Sequence, residues 1–177
     1  MCVLTSGRAR GCKDAIGGLK AIFVFNFVED SFTVTGGEAT AVSANVVDDA
    51  VYRYDLIGTG NSYVETFTAS TENGTTVYEQ VLTVQLPKQD LATTNQLNLL
   101  VKSRAVVVVL DRAGNYRVMG ISDGTNGNGS LESGAAKADF NGYNLTLTAT
   151  EKDPSPFLDT TTRDAFLDLV NAAQITS

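Results

Sequence analysis

Residues 139–156 constrain this chain more than any other stretch. Tyr143, Leu145, Leu147 and Ala149 alternate with Asn144, Thr146, Thr148 and Thr150. An extended backbone sends successive side chains to opposite faces. The alternation therefore predicts a strand with one buried face and one threonine-rich face. Asn141-Gly142 is a turn signal before it, and Pro154 ends it.

Other segments read the same way. Residues 19–29 carry Phe23, Phe25 and Phe27 on one face and Val24 and Val28 on the other, so both faces are expected to be buried. Residues 31–35, 38–45 and 50–57 are further strand candidates. Residues 62–70 and 75–86 flank Asn73-Gly74, the strongest two-residue hairpin signal, which pairs Glu72 with Thr75. One face of that hairpin collects Tyr63, Phe67, Ala69, Tyr78, Leu82 and Val84, with Glu65 as the exception. The other collects small, β-branched and polar residues, among them Val64, Thr66, Thr68, Glu79, Thr83 and Gln85. The first face is expected in the core and the second against water.

Residues 87–103 read as the main helix, with Pro87 near its start and Leu97, Leu100 and Val101 on one stripe. The valine run 105–110 predicts a strand buried on both faces. A turn at 111–115 leads into a strand at 116–121. Residues 123–130 read as a Gly/Asn loop, and 131–139 as extended or irregular. Residues 161–174 predict a short amphipathic helix, with Thr161 and Asp164 at capping-box spacing. The sum is a mainly β (α+β) chain: an antiparallel β-sandwich or barrel of about nine strands, with one principal flanking helix and a short C-terminal helix. Residues 1–18, with Gly7, Gly11, Gly17 and Gly18, read as a flexible N-terminal arm. Residues 19–177 read as a single domain.

Composition then excludes several functions. The chain has 13 Lys+Arg against 20 Asp+Glu, a net charge of −7. That balance argues against gripping a nucleic-acid backbone, although nucleic acid would slide past such a surface without sticking. There is no His, which removes the commonest general base and the usual activator of a Ser or Cys nucleophile. Cys2 and Cys12 would allow a small disulfide loop, but two cysteines make no framework, and free thiols in a reducing compartment are the expectation. Residues 21–28, the most apolar run, are far short of the ~20 residues of a membrane helix. The first residues lack a signal-peptide core, so no membrane partner is expected.

Individual candidates for chemistry are weak. Asp139, Glu151 and Asp153 are possible paired carboxylates, but acids at a strand end are expected simply to solvate it. Asp123, Asn126, Asn128 and Glu132 do not match a calcium loop in spacing. Residues 120–129 hold four glycines without the Lys-Ser/Thr of a phosphate cradle. No catalytic residue, metal or cofactor is expected. Arg8, Arg10 and Lys13 make a small basic cluster in the arm.

From Ala105 onward the chain resembles the C-terminal half of the major tail tube proteins of long-tailed bacteriophages. The resemblance rests on Val-Val-Val-Val-Leu-Asp-Arg-Ala-Gly-Asn-Tyr-Arg-Val-Met-Gly, then a Gly-rich loop. Ser133-Gly134-Ala135, Asp139, Gly142-Tyr143, Leu145-Thr146-Leu147 and Glu151-x-x-Pro154 follow. Residues 12–19, Cys-Lys-Asp-Ala-Ile-Gly-Gly-Leu, resemble structural proteins of phages that infect Bacteroidetes. Together these pieces cover about half of the chain.

That family implies a β-sandwich or barrel with one helix on its flank. Copies form rings, six to a ring, whose sheets merge into one inner barrel. Rings stack into a tube that carries the tape-measure protein and double-stranded DNA. Tail terminator, baseplate and sheath proteins would be further partners, and the virion tail would be the location. On this expectation Thr66, Thr68, Glu79, Thr83 and Gln85 face the lumen. Arg8, Arg10, Lys13, Asp123, Asn126 and Asn128 are expected between rings. The alternatives are another virion ring or decoration protein on the same fold, such as a tail terminator or baseplate hub, and a carbohydrate-binding β-sandwich. The absence of Trp weakens the last.

Overall fold

The computed structural model of the chain describes residues 6–11, 13, 16–46 and 51–170. It is a mainly β sandwich of two sheets with two helices. Eleven strands lie among the described residues: β1 (Leu19–Asn26), β2 (Phe32–Thr35), β3 (Glu38–Val42), β4 (Tyr52–Asp55), β5 (Ser62–Ser70), β6 (Thr75–Pro87), β7 (Ala105–Asp111), β8 (Tyr116–Met119), β9 (Asn126–Glu132), β10 (Gly142–Glu151) and β11 (Phe157–Leu158). Helix α1 (Leu91–Lys102) joins β6 to β7, and α2 (Thr160–Asp168) follows β11.

The larger sheet has seven strands in the order β2-β3-β11-β8-β7-β1-β4. Its pairs are antiparallel except β11 with β3. The smaller sheet has four strands, β5-β6-β10-β9, antiparallel throughout.

Strands β1 and β7 are buried on both faces, as their solid apolar runs predict. They form a wall between two cores. Toward the smaller sheet, Ile22, Val24, Val107 and Val109 meet Leu82, Val84, Leu145 and Leu147, with Leu97 and Leu100 of α1 closing the layer. Toward α2, Phe23 and Phe25 meet Phe32 and Phe166, whose ring lies 5.7, 6.1 and 5.9 Å from those of Phe23, Phe25 and Phe32.

Several expectations need correction. The hairpin turn spans Thr71 to Gly74, so Ser70 pairs with Thr75. The register therefore moves by two residues, and because strand side chains repeat every two, each residue keeps its expected face. Phe67 and Ala69 are nevertheless exposed, since the opposing layer stops short of the hairpin tip. The main helix starts at Leu91. The ladder to β10 carries β6 through Pro87, where it pairs with Gly142, and Lys88 turns the chain at φ 64°. Asp90 then caps α1 by accepting from the Thr93 amide at 2.7 Å. The expected loop at 123–130 is mostly strand β9, which pairs with β10 along its whole length. Helix α2 is capped by Asp159, which accepts from the Thr162 amide at 2.6 Å; Thr161 lies inside the helix. Strand β11 was not expected at all. The pairing of Cys2 and Cys12 lies outside the described residues.

Candidate functional site

The register of the smaller sheet fixes its outer face. Directly paired residues in an antiparallel ladder share a face. Thr66 pairs with Glu79, and Glu79 with Thr150. Val64, Val81, Thr148 and Asn126 form the next row, and Ser62, Thr83, Thr146 and Asn128 the one after. Gln85, Asn144 and Ser130 follow. The opposite side of the same strands carries the buried Leu82, Val84, Leu145 and Leu147.

All five residues expected to line a lumen, Thr66, Thr68, Glu79, Thr83 and Gln85, therefore lie on one continuous surface. Thr66, Thr68 and Glu79 are exposed, while Thr83 and Gln85 are half-buried. The surface is larger than the hairpin alone suggested. Strand β10 adds Asn144, Thr146, Thr148 and Thr150, and β9 adds Asn126, Asn128, Ser130 and Glu132. No Lys or Arg stands on any of these positions, and the acids are Glu79 and Glu132. Glu132 is held within the face, accepting from Asn144 Nδ2 at 2.6 Å and Ser130 Oγ at 3.2 Å.

Asn126 and Asn128 thus belong with the residues expected in the lumen and not with Asp123. Asp123 lies outside β9 and accepts from the Arg104 guanidinium through its carbonyl at 2.7 Å, with its carboxylate 3.5 Å away. Arg8, Arg10 and Lys13 are exposed, outside helix and strand, and far in sequence from this face.

Strand β9 owes its place to glycine. Its core-side positions are Gly127, Gly129 and Leu131, opposite Leu147, Leu145 and Tyr143. A Cβ on Gly127 would stand 3.2 Å from the Val101 backbone and 3.1 Å from Leu147, so the glycine lets α1 lie directly on the strand. Tyr143 fastens the other end of α1. Its hydroxyl donates to the Asp90 carbonyl at 2.8 Å and accepts from the Asp90 amide at 3.1 Å.

Glu65, the acid on the core-side face of the hairpin, is its anchor. Oε1 accepts from the Ser155 amide at 2.7 Å and from Gln80 Nε2 at 3.3 Å; Oε2 accepts from Ser155 Oγ at 3.2 Å. Arg117 lies 3.9 Å away and stacks over Phe157. Gln80, fully buried, passes the chain of contacts on by accepting from the Gly120 amide at 3.1 Å. Tyr63 beside it has a buried hydroxyl that makes no well-formed hydrogen bond among the described residues. Burial pushes its phenol up to about 12, and the nearby Ser155 hydroxyl offsets only part of that. A cavity of about 440 Å³ opens here, lined by Tyr63, Glu65, Asp111, Asn115 and Arg117 together with Gly17 and Gly18.

Two of the carboxylates considered for catalysis, Glu151 and Asp139, are separately employed, and Asp153 is exposed. Glu151 is buried, contrary to the expectation that it solvates a strand end, and accepts from the Ser122 amide at 3.1 Å. Asp139 closes its own turn through the Ala135 and Ala136 amides, which hold its carboxyl below the usual range. Sequence reasoning missed the anchoring role of Glu65, although an acid at a core-side position of an alternating strand was its visible sign.

Comparison of the chain with known protein families, with curated proteins and with solved structures finds no match.

Proposed function

We propose that this chain is a structural subunit that assembles into rings and stacked tubes, with the outer face of the smaller sheet lining a channel for nucleic acid, as in a phage tail. One observation carries the reading: a four-stranded face of hydroxyl, amide and valine side chains with two acids, Glu79 and Glu132, and without a single basic residue. Such a face stays wet and does not grip phosphates.

The ends of that sheet support the same reading. Strands β5 and β9 are its two edges, and neither carries the Lys or Pro that commonly guards an edge. Strand β9 runs opposite to β5, so β9 of one copy beside β5 of the next continues the antiparallel order. Repeated around a rotation axis, this contact removes every edge of the smaller sheet. Six copies of four strands make about 24 strands. With strands ~4.8 Å apart and tilted roughly 40°, the barrel is about 48 Å across between backbones.

The test is negative-stain electron microscopy of the purified chain over a concentration series. Rings or hollow filaments on the order of 100 Å wide are expected, from small domains arranged around such a channel. A chain that stays monomeric at high concentration overturns the reading. In assembled tubes, Glu79→Lys is expected to slow DNA passage while leaving assembly intact. Unchanged passage would take this face out of the lumen.

A further inference from the structure

Four Asn-Gly pairs occur in the chain, at 73–74, 126–127, 128–129 and 141–142. Each is a candidate for the same chemistry. The glycine nitrogen can attack the side-chain amide carbon of the asparagine when the peptide between them is free to turn, and glycine has no side chain to block the approach. The fold treats the four pairs differently.

Three of them are clamped. Asn126, Gly127, Asn128 and Gly129 lie in the ladder of β9 with β10, opposite Thr148, Leu147, Thr146 and Leu145. A Cβ on Gly127 would stand 3.2 Å from the Val101 backbone, and one on Gly129 would stand 3.1 Å from the Asn144 carbonyl. Gly142 is buried at the start of β10, where a Cβ would collide with the Leu86 carbonyl. The carbonyl of Asn141 accepts from the Lys88 amide at 2.8 Å. Turning any of these peptides breaks ladder hydrogen bonds or drives backbone into backbone.

The fourth pair is open. Asn73 and Gly74 end the exposed turn between β5 and β6. Gly74 has φ 62°, in the left-handed region that favours glycine, and a Cβ there would meet nothing within 4 Å. The backbone amide of Asn73 donates to Ser70 Oγ at 3.3 Å. Its side chain and the Gly74 amide have no hydrogen-bond partner among the described residues.

We infer that Asn73 is a site of spontaneous modification, at which the hairpin tip loses an amide and gains a carboxylate. The Gly74 nitrogen bonds to Cγ of Asn73. Ammonia leaves, carrying the proton released by that nitrogen, and a five-membered imide remains. Water then opens the imide at one of its two carbonyls. Opening at Cγ leaves aspartate at position 73. Opening at the backbone carbonyl leaves isoaspartate, whose main chain runs through Cγ and is one carbon longer. Both products place a negative charge beside Glu72, and the second lengthens the turn that Ser70 and Thr75 close. None of this depends on the ring reading.

The test is peptide mapping by mass spectrometry after the purified chain is incubated at mildly alkaline pH, with fragmentation to locate each converted site. The clamped pairs react only from locally opened states, so Asn73 is expected to convert at least about tenfold faster than Asn126, Asn128 or Asn141. In urea the four rates should converge. Equal rates in the folded chain overturn the inference. So does a preference for Asn73 that persists unchanged in urea, because it would then lie in the sequence and not in the fold. Asn73→Ser should abolish the first acidic species to appear on ion exchange while leaving the urea midpoint near wild type; an acidic species that still forms at the same rate would place the reaction elsewhere.

Discussion

Replacing Glu65 by Ala separates two ways in which the hairpin can be fixed to the larger sheet. The carboxylate accepts three hydrogen bonds, from the Ser155 amide, the Ser155 hydroxyl and Gln80. It also faces Arg117 at 3.9 Å, at the limit of an ion pair, where the arginine side chain is 36% exposed. Exposed ion pairs contribute about 0–1 kcal/mol. Hydrogen bonds to a charged group contribute about 1.5–3 kcal/mol, and a buried donor left unmet costs about 1–3 kcal/mol. Ser155 and Gln80 are both buried, so the loss of the hydrogen bonds dominates. Glu65→Ala should cost about 2–4 kcal/mol on those figures, and Arg117→Ala about 1 kcal/mol, including its stacking on Phe157. Urea unfolding followed by far-UV circular dichroism, at concentrations where the chain is monomeric, measures both, with an unchanged denaturant slope as the control. Equal losses in the two variants, or less than about 1 kcal/mol for Glu65→Ala, would refute the assignment of the anchor to Ser155 and Gln80.

Phe166→Ala empties a fully buried site among three aromatic rings. Its cost should be about 3–5 kcal/mol by the same unfolding assay, and a loss below ~1.5 kcal/mol would show that α2 is not needed to close the second core. Asp90, Asp139 and Asp159 have carboxyls held below the usual range, chiefly by hydrogen bonds to Thr93, Ala136 and Thr162. A depressed folded-state value means that their stabilisation is present above the ordinary aspartate range near ~3.9 and is lost as pH falls through the depressed values. Acid unfolding curves of Asp90→Asn and Asp159→Asn should therefore be flatter than wild type below about pH 4, and identical slopes would contradict the cap geometry. Tyr63, pushed up to about 12, stays neutral while an unfolded tyrosine ionises near ~10. Its stabilisation is complete below the unfolded value and is lost as pH rises through the folded one. The chain has no Trp to obscure tyrosinate absorbance, and Tyr63→Phe should remove the last step of the alkaline titration.

The parts of the fold that were legible in the sequence are those where burial imposes a period. Strand β10 alternates because one face meets the core, and β7 is solid valine because both faces do. The outer face of the hairpin survived a wrong turn because the register error was two residues, a whole period. Strand β9 was illegible for the opposite reason. Gly and Asn are turn formers, and what makes 126–132 extended is nonlocal: its ladder with β10 and the close seat of α1 on Gly127. The exposure of Phe67 was equally hidden, since alternation reports which side a residue faces and not whether anything lies there. Helix starts went wrong at Pro87 and Thr161 because local cap patterns competed with Asp90 and Asp159, and the winners were set by where the preceding strands β6 and β11 end.

The two glycines on the inward side of β9 also make it a lightly moored strand. It contributes one apolar side chain inward, Leu131, and that side chain is half in water. Backbone hydrogen bonds to β10 and the touch of α1 hold the rest. Segments with few buried apolar contacts open at low free energy. Amides of β9 should therefore exchange with solvent well before those of β6 or β10, and a neighbouring chain docked along that edge would close the gap. If copies do meet along that edge as proposed, a lone subunit would stay locally open there until a second one arrives, and folding would be completed by company.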